Sequence, residues 1–113
     1  MAAKIVKPVT LEIEGKTYTL EFNRNSVVNA ERIGLNLEGL QTAPMTTISL
    51  LFFCAFRMHH PDVSHSESDS ILFDKLDGGT EELIKRLVEL YTVPTSALFK
   101  YNEETAKNVK ISL

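Results

Sequence analysis

Apolar and polar residues alternate along the first part of the chain, which is the period of a half-buried β-strand. The apolar positions of the two alternating runs are Ile5, Val9, Leu11 and Ile13, then Tyr18, Leu20 and Phe22. With Gly15 and Lys16 at the centre of a type II′ turn, Ile13 faces Tyr18, and all these apolar residues share one face. The sequence therefore predicts an N-terminal β-hairpin over residues 4–22.

Helical periodicity and helix-ending residues divide the rest of the chain into four to five helices. Pro44 and Pro61 bracket the longest apolar stretch, Ser64 and Glu67 have capping-box spacing, and Pro94 stops a further helix. The predicted helices cover about 25–33, 44–60, 66–76, 80–93 and 94–100, with a loop over 36–43. We therefore predict an α+β, predominantly helical fold with one globular domain over 1–101 and a polar, flexible tail over 102–113.

The predicted helix 44–60 is apolar on nearly every side, so it shows no face that clearly belongs in water. Such a helix is either the centre of the core or part of the core and of a subunit interface. Together with the hairpin and two amphipathic helices, it supplies more apolar surface than a monomer of this size hides easily. Two interpretations stay open at this point: self-association or capture of an amphipathic partner segment, or a core that absorbs all of it.

Charge and hydropathy exclude several classes of partner. The net charge is -3, whereas a protein that neutralises nucleic-acid phosphates normally carries a basic excess. The N-terminus lacks the continuous apolar segment of a signal peptide, and the longest apolar stretch is too short and too polar to cross a bilayer. We therefore expect a soluble protein of the cytoplasm that binds neither nucleic acid nor membrane.

The reactive side chains do not form a pattern typical of an enzyme or a metal site. Cys54, the one cysteine, lies in an apolar run and reads as a buried thiol. His59, His60 and His65 lack the helical spacing of a metal site and read as polar residues near a helix end. Ser64 and its serine neighbours fit helix capping better than nucleophilic catalysis. The sequence predicts a protein with no catalytic, metal or cofactor site.

A further pattern of mostly hydrophobic positions extends along nearly the whole chain. It begins with residues 15–27, Glu31 and Gly34, and continues at Pro44. Its later part consists of Leu51, Phe52, Ala55, Phe56, His59 and His60, then of Leu83, Leu87, Leu90, Tyr91, Pro94 and Leu98. This pattern resembles a small phage and prophage protein family of Gram-positive hosts, the tail assembly chaperones of long-tailed phages. The resemblance does not cover the chain after Tyr101.

This resemblance implies a non-enzymatic chaperone that coats the helical, aggregation-prone tape-measure protein and helps recruit tail-tube subunits in the host cytoplasm. An apolar groove or an oligomer surface would shield the tape-measure helices. The residues we predict for this protein-binding surface are Leu51, Phe52, Phe56, Met58, Leu87 and Tyr91.

Two other functional classes fit the same sequence. One is a structural virion component, such as a tail-completion or connector protein, which would remain in the mature particle. The other is a small regulatory adaptor that binds one host protein. Presence in purified virions distinguishes the first class from a chaperone, and a host-protein partner identifies the second.

Overall fold

A two-stranded hairpin precedes five helices in the structure, a computed structural model. It describes the backbone of residues 7–76 and 80–105 and the side chains of residues 7–76 and 80–94. The elements are β1 (Val9–Ile13), β2 (Lys16–Leu20), α1 (Arg24–Arg32), α2 (Gly39–Thr42), α3 (Pro44–Phe56), α4 (His65–Ser70) and α5 (Thr80–Thr105). The predicted α+β, mostly helical fold is confirmed. Residues 4–6 of the predicted hairpin and 106–113 of the predicted tail lie outside the described residues.

The two strands pair in a register two residues away from the predicted one. Val9 pairs with Leu20 and Leu11 with Tyr18, so Glu14 and Gly15 form the centre of the turn. Their φ angles are +50° and +81°. Positive φ angles at both central positions are typical of a type I′ turn, whereas the predicted type II′ turn needs a positive φ only at the first central position. Because the shift is an even number of residues, the apolar side chains stay on one face.

Helix α3 is the central helix of the fold. It packs against α1, α2, α4, α5 and β2. Its buried residues are Thr47, Leu51, Phe52, Cys54, Ala55 and Phe56. Neighbours on so many sides explain why the helix is apolar nearly all round, and they give it the core role considered from the sequence. Pro44 begins the helix as predicted, but α3 ends at Phe56 rather than near His60.

The hairpin is attached to the C-terminal end of α3 by its backbone and by one imidazole. The Glu21 N–H donates to the Ala55 carbonyl at 3.1 Å. The Thr19 N–H donates to His60 Nε2 at 2.8 Å, and the Tyr18 ring meets the Phe56 ring edge-on with centroids 5.4 Å apart. The apolar face of the hairpin thereby closes one side of the core.

The remaining helices correct three predictions. A single helical turn, α2, lies within the predicted loop over 36–43. Ser64 caps α4 through a hydrogen bond from the Glu67 N–H, but the helix then widens into a π-helix over Ile71–Lys75. Helix α5 continues through Pro94, so the predicted helices 80–93 and 94–100 are one. Proline removes one hydrogen-bond donor from a helix without forbidding helical backbone on both sides.

The N-terminal half of α5 completes the core. Leu83, Leu87, Leu90 and Tyr91 are buried, and the Tyr91 ring meets Phe22 edge-on with centroids 5.1 Å apart. Over residues 7–76 and 80–105, no helix is long and apolar enough to cross a membrane.

Candidate protein-binding surface

Five of the six residues predicted for the binding surface lie in the core instead. Leu51, Phe52, Phe56 and Leu87 are completely buried, and Tyr91 is 7% exposed. Met58 alone is accessible, at 38%. The sequence pattern identified strongly apolar positions, but in this fold those positions of α3 and α5 belong to the hydrophobic core. A surface that binds a partner without unfolding has to be built from other residues.

The C-terminal end of α1 brings an apolar side chain to the surface. The Leu35 N–H donates to the Ala30 carbonyl, and the Gly34 N–H donates to the Glu31 carbonyl. This pair of bonds, with Gly34 at φ +104°, is a Schellman motif. Leu35 and Ala30 are buried beneath it, whereas the capping residue, Ile33, keeps 55% of its surface exposed.

Ile33 forms one wall of a groove between α1 and α3, which we call the α1–α3 groove. It has a volume of about 480 Å³. Its lining residues are Ser26, Asn29, Ala30, Arg32 and Ile33 from α1 and its C-cap, and Phe53, Cys54 and Arg57 from α3 and its C-cap. Residues 26, 29, 30 and 33 share a face because they are spaced three and four apart on a helix. The groove is large enough to admit more than one side chain of a partner.

Both ends of α1 are fixed by local bonds, so this wall of the groove is preformed. Asn23 and Ser26 form a reciprocal capping box: the Ser26 N–H donates to Asn23 Oδ1 and the Asn23 N–H donates to Ser26 Oγ, both at 2.8 Å. The Schellman motif ends the helix at the other side. A preformed surface loses less conformational entropy when a partner binds.

Cys54 contributes an unreactive thiol to the floor of the groove. The side chain is 2% exposed, and burial raises the pKa of the thiol to about 11, an effect that the nearby Arg57 guanidinium partly offsets. A protonated thiol is a poor nucleophile and behaves as a small apolar group. The floor is therefore suited to packing rather than to covalent chemistry.

Two arginines give the groove its charge. The guanidinium of Arg57 lies 5.5 Å from the centroid of the Phe53 ring, and its Nη1 donates to the Pro61 carbonyl at 2.9 Å. Among the residues that the structure describes, no carboxylate pairs with Arg32. No acidic residue lines the groove. The result is an apolar groove with an electropositive rim on a chain whose net charge is -3.

The three histidines serve separate packing contacts. His59 Nε2 lies 2.8 Å from Glu21 Oε1, and His60 accepts the Thr19 N–H. His65 stacks on Phe53 with centroids 4.8 Å apart and contacts Ser49 Oγ at 2.8 Å. Over the ranges 7–76 and 80–105, no group of three histidine, cysteine or acidic residues is placed to hold a metal ion.

The hydrogen bond between Ser49 and His65 does not run in the direction that a catalytic nucleophile and its general base require. The Ser49 hydroxyl donates to Asp69 Oδ1 at 2.5 Å, so its proton is directed at the carboxylate. His65 Nε2 must then donate to the serine oxygen rather than accept its proton. In a catalytic pair, the imidazole accepts that proton. Here the three side chains connect α3 to α4.

Sequence reasoning missed the residues that form the α1–α3 groove. The apolar residues of the predicted helix 25–33 are Val27, Val28, Ala30 and Ile33, but only Val27 and Ala30 are buried. On a helical projection Ile33 lies at the edge of the stripe formed by Val27 and Ala30, and this position was an available sign of exposure. The arginines gave no comparable sign, because basic residues near helix C-termini are common.

Comparison with known proteins gives one match. The family model described as Domain of unknown function (DUF5055) matches residues 1–113. No curated protein and no solved structure matches the chain.

Proposed function

The chain belongs to the DUF5055 family, and we propose that it is a non-enzymatic tail assembly chaperone of a long-tailed phage. In this proposal it binds the tape-measure protein in the host cytoplasm and helps recruit tail-tube subunits. The family resemblance described from the sequence supplies the identity of these partners. The α1–α3 groove supplies the means of binding one of them.

The observation that carries the proposal is an apolar groove beside an exposed isoleucine at a fixed helix end. Ile33 is more than half exposed at the wall of the groove, although β-branched aliphatic residues are usually buried. An amphipathic helix docks into such a groove through apolar side chains spaced three, four and seven residues apart. A tape-measure protein that is helical over most of its length would offer such faces repeatedly.

Outside the groove, the described part of the chain also exposes scattered apolar side chains. The other large apolar residues exposed in the described ranges are Val28, Met45, Met58 and Phe73. None of them lines the α1–α3 groove. They therefore provide matched positions at which an apolar surface residue can be changed without altering the proposed binding site.

The proposal is tested by co-expressing the chain with the long helical protein encoded beside it. We expect that protein to become soluble and to co-purify with the wild-type chain. Ile33→Glu should reduce the recovered complex strongly, because it places a carboxylate in the apolar groove. Met45→Glu changes an equally accessible apolar residue outside the groove and should leave recovery unchanged.

Two results would overturn the proposal. If the neighbouring protein is equally insoluble with and without the chain, the chaperone role is wrong. If the chain is retained in purified mature virions, it is a structural component instead of a chaperone that leaves before assembly is complete. If the wild-type chain forms the complex and Ile33→Glu does not weaken it, the chaperone role stands but the binding surface is not the groove.

A further inference from the structure

We infer that the α1–α3 groove selects an acidic amphipathic helix, with glutamates or aspartates flanking its apolar face. This inference deepens the proposed function, because it gives the chemistry of the partner segment. Three observations carry it: the apolar walls, the two arginines at the rim and the absence of any acidic residue from the lining.

The apolar part of the groove determines where the partner's side chains insert. Ile33 and Phe53 stand on opposite helices, and Ala30 and Cys54 form the buried floor between them. Phe53 is held in place by its stacking on His65 and by its contact with the Arg57 guanidinium. A partner residue that inserts here meets fixed apolar surfaces, so shape and apolar area favour leucine-like anchors.

The arginines determine which residues beside those anchors are favourable. Arg32 is the last residue of α1 and Arg57 is the C-cap of α3. A basic residue at either helix end is favourable by itself, since helix C-termini carry partial negative charge. That effect does not explain why both arginines line the same apolar groove. With no carboxylate in the lining to neutralise them, they favour an anionic partner and disfavour a cationic one.

Their donors are also available for binding. Within the described residues Arg57 donates one hydrogen bond, from Nη1 to the Pro61 carbonyl, and a guanidinium has five N–H donors. Packing against Phe53 restricts its plane, so fewer orientations are lost when a carboxylate binds. Arg32 pairs with no carboxylate among the described residues. Each arginine is thus able to donate two parallel hydrogen bonds to the carboxylate of a glutamate or an aspartate.

The inference is tested with fluorescent helical peptides and the full-length chain. One peptide carries leucines at positions i, i+3, i+4 and i+7 with glutamates beside them, and the matched peptide carries lysines in place of the glutamates. We expect the acidic peptide to bind about tenfold more tightly than the basic one at low salt, and this preference to shrink as salt rises.

Charge reversal identifies the residues responsible. Arg32→Glu and Arg57→Glu should each weaken binding of the acidic peptide by about tenfold and should strengthen binding of the basic peptide. Arg24→Glu makes the same change in net charge at the opposite end of α1, outside the groove, and should leave both affinities unchanged. Circular dichroism of each variant confirms that the fold is retained.

Several outcomes would overturn the inference. Equal affinity for the acidic and basic peptides would show an apolar groove without charge selection. Equal effects of Arg24→Glu and Arg32→Glu would show that the preference follows the net charge of the protein rather than the groove. If an oligonucleotide bound more tightly than the acidic peptide, the partner would be a nucleic acid rather than a protein. The proposed function is judged separately, because the co-expression experiment requires no particular charge on the partner.

Discussion

Phe52 and Met58 are both apolar residues, but they differ in how far the fold buries them. Phe52 is completely buried and its ring packs edge-on against Phe56 with centroids 5.0 Å apart, whereas Met58 is accessible. Phe52→Ala should lower the free energy of unfolding by about 3–5 kcal/mol, because it leaves a cavity in the core. Met58→Ala should change it by about 0.5 kcal/mol or less. Urea denaturation followed by circular dichroism measures both, and similar values would contradict the burial of Phe52.

The adjacent histidines offer a comparison of a structural and a surface hydrogen bond. His60→Ala leaves the half-buried Thr19 N–H without its acceptor and removes a ring that packs on Tyr18, so it should cost about 1–3 kcal/mol of stability. His59→Ala loses only an accessible contact with Glu21 and should cost about 1 kcal/mol or less. Thermal denaturation of the two variants is the measurement. If both losses are equally small, His60 does not attach the hairpin to α3.

Cys54 should make stability fall in alkaline solution. An unfolded cysteine loses its proton near pH 8.5, whereas burial raises the pKa of Cys54 in the folded state to about 11. Between these values only the unfolded state is deprotonated, so the stabilisation is complete below about pH 8.5 and is lost as pH rises toward 11. Urea midpoints across this range should decline less in Cys54→Ala. Burial also raises the pKa of Tyr91, with smaller contributions from Glu31 and Cys54. The decline that remains in Cys54→Ala therefore includes the part of the Tyr91 effect that does not depend on Cys54.

At the scale of elements, the hairpin turn gives the sharpest test of register. Gly15→Ala places a Cβ at φ +81° and should destabilise the protein by about 1–2 kcal/mol. Glu14→Asn should be neutral or stabilising, because asparagine favours the first central position of a type I′ turn. It removes an accessible ion pair with Lys75, which is worth little. Under the register predicted from the sequence, Glu14 would precede the two central positions of the turn, where the preference of a type I′ turn for asparagine does not apply.

Elements with strong local determinants could be predicted from the sequence. Alternation specified the hairpin, Pro44 the start of α3 and Ser64 the cap of α4. The predictions that were wrong concern the strand register and the end of a helix, and the local pattern of apolar and polar residues does not determine either. Shifting the hairpin by two residues preserves its apolar face, so alternation cannot choose between the two registers. Likewise, Pro94 removes a hydrogen bond without setting where the helical backbone ends.

The groove was beyond sequence reasoning for a different reason. Ile33 and Arg57 are distant in the chain, and only the packing of α1 on α3 places them along one surface. Apolar character alone pointed to α3 and α5, because a central helix and a binding helix have similar compositions. Which of two apolar positions is exposed depends on tertiary neighbours, as Phe52 and Ile33 show.

At the scale of the whole molecule, the exposed apolar groups should be detectable without any partner. Ile33→Glu and Phe73→Glu together remove two of the most accessible apolar side chains. We expect the double variant to bind the dye ANS more weakly than the wild type, because the dye reports exposed apolar surface. Its free energy of unfolding should stay within about 0.5 kcal/mol of the wild-type value for each change. Unchanged dye binding would show that these side chains are covered in solution, for example by a second copy of the chain.

The position of α5 also bears on when the protein can begin to work. Leu87 and Tyr91 close the core against elements that the ribosome has already made, including Phe22 beside the hairpin. A nascent chain that has not yet released α5 holds an incomplete core, because the side of α1 and α3 that α5 covers is still open. Ribosome-bound chains stalled before Leu83 should therefore be cut readily by protease. Completion of the core therefore waits for α5 to dock on α1 and α3.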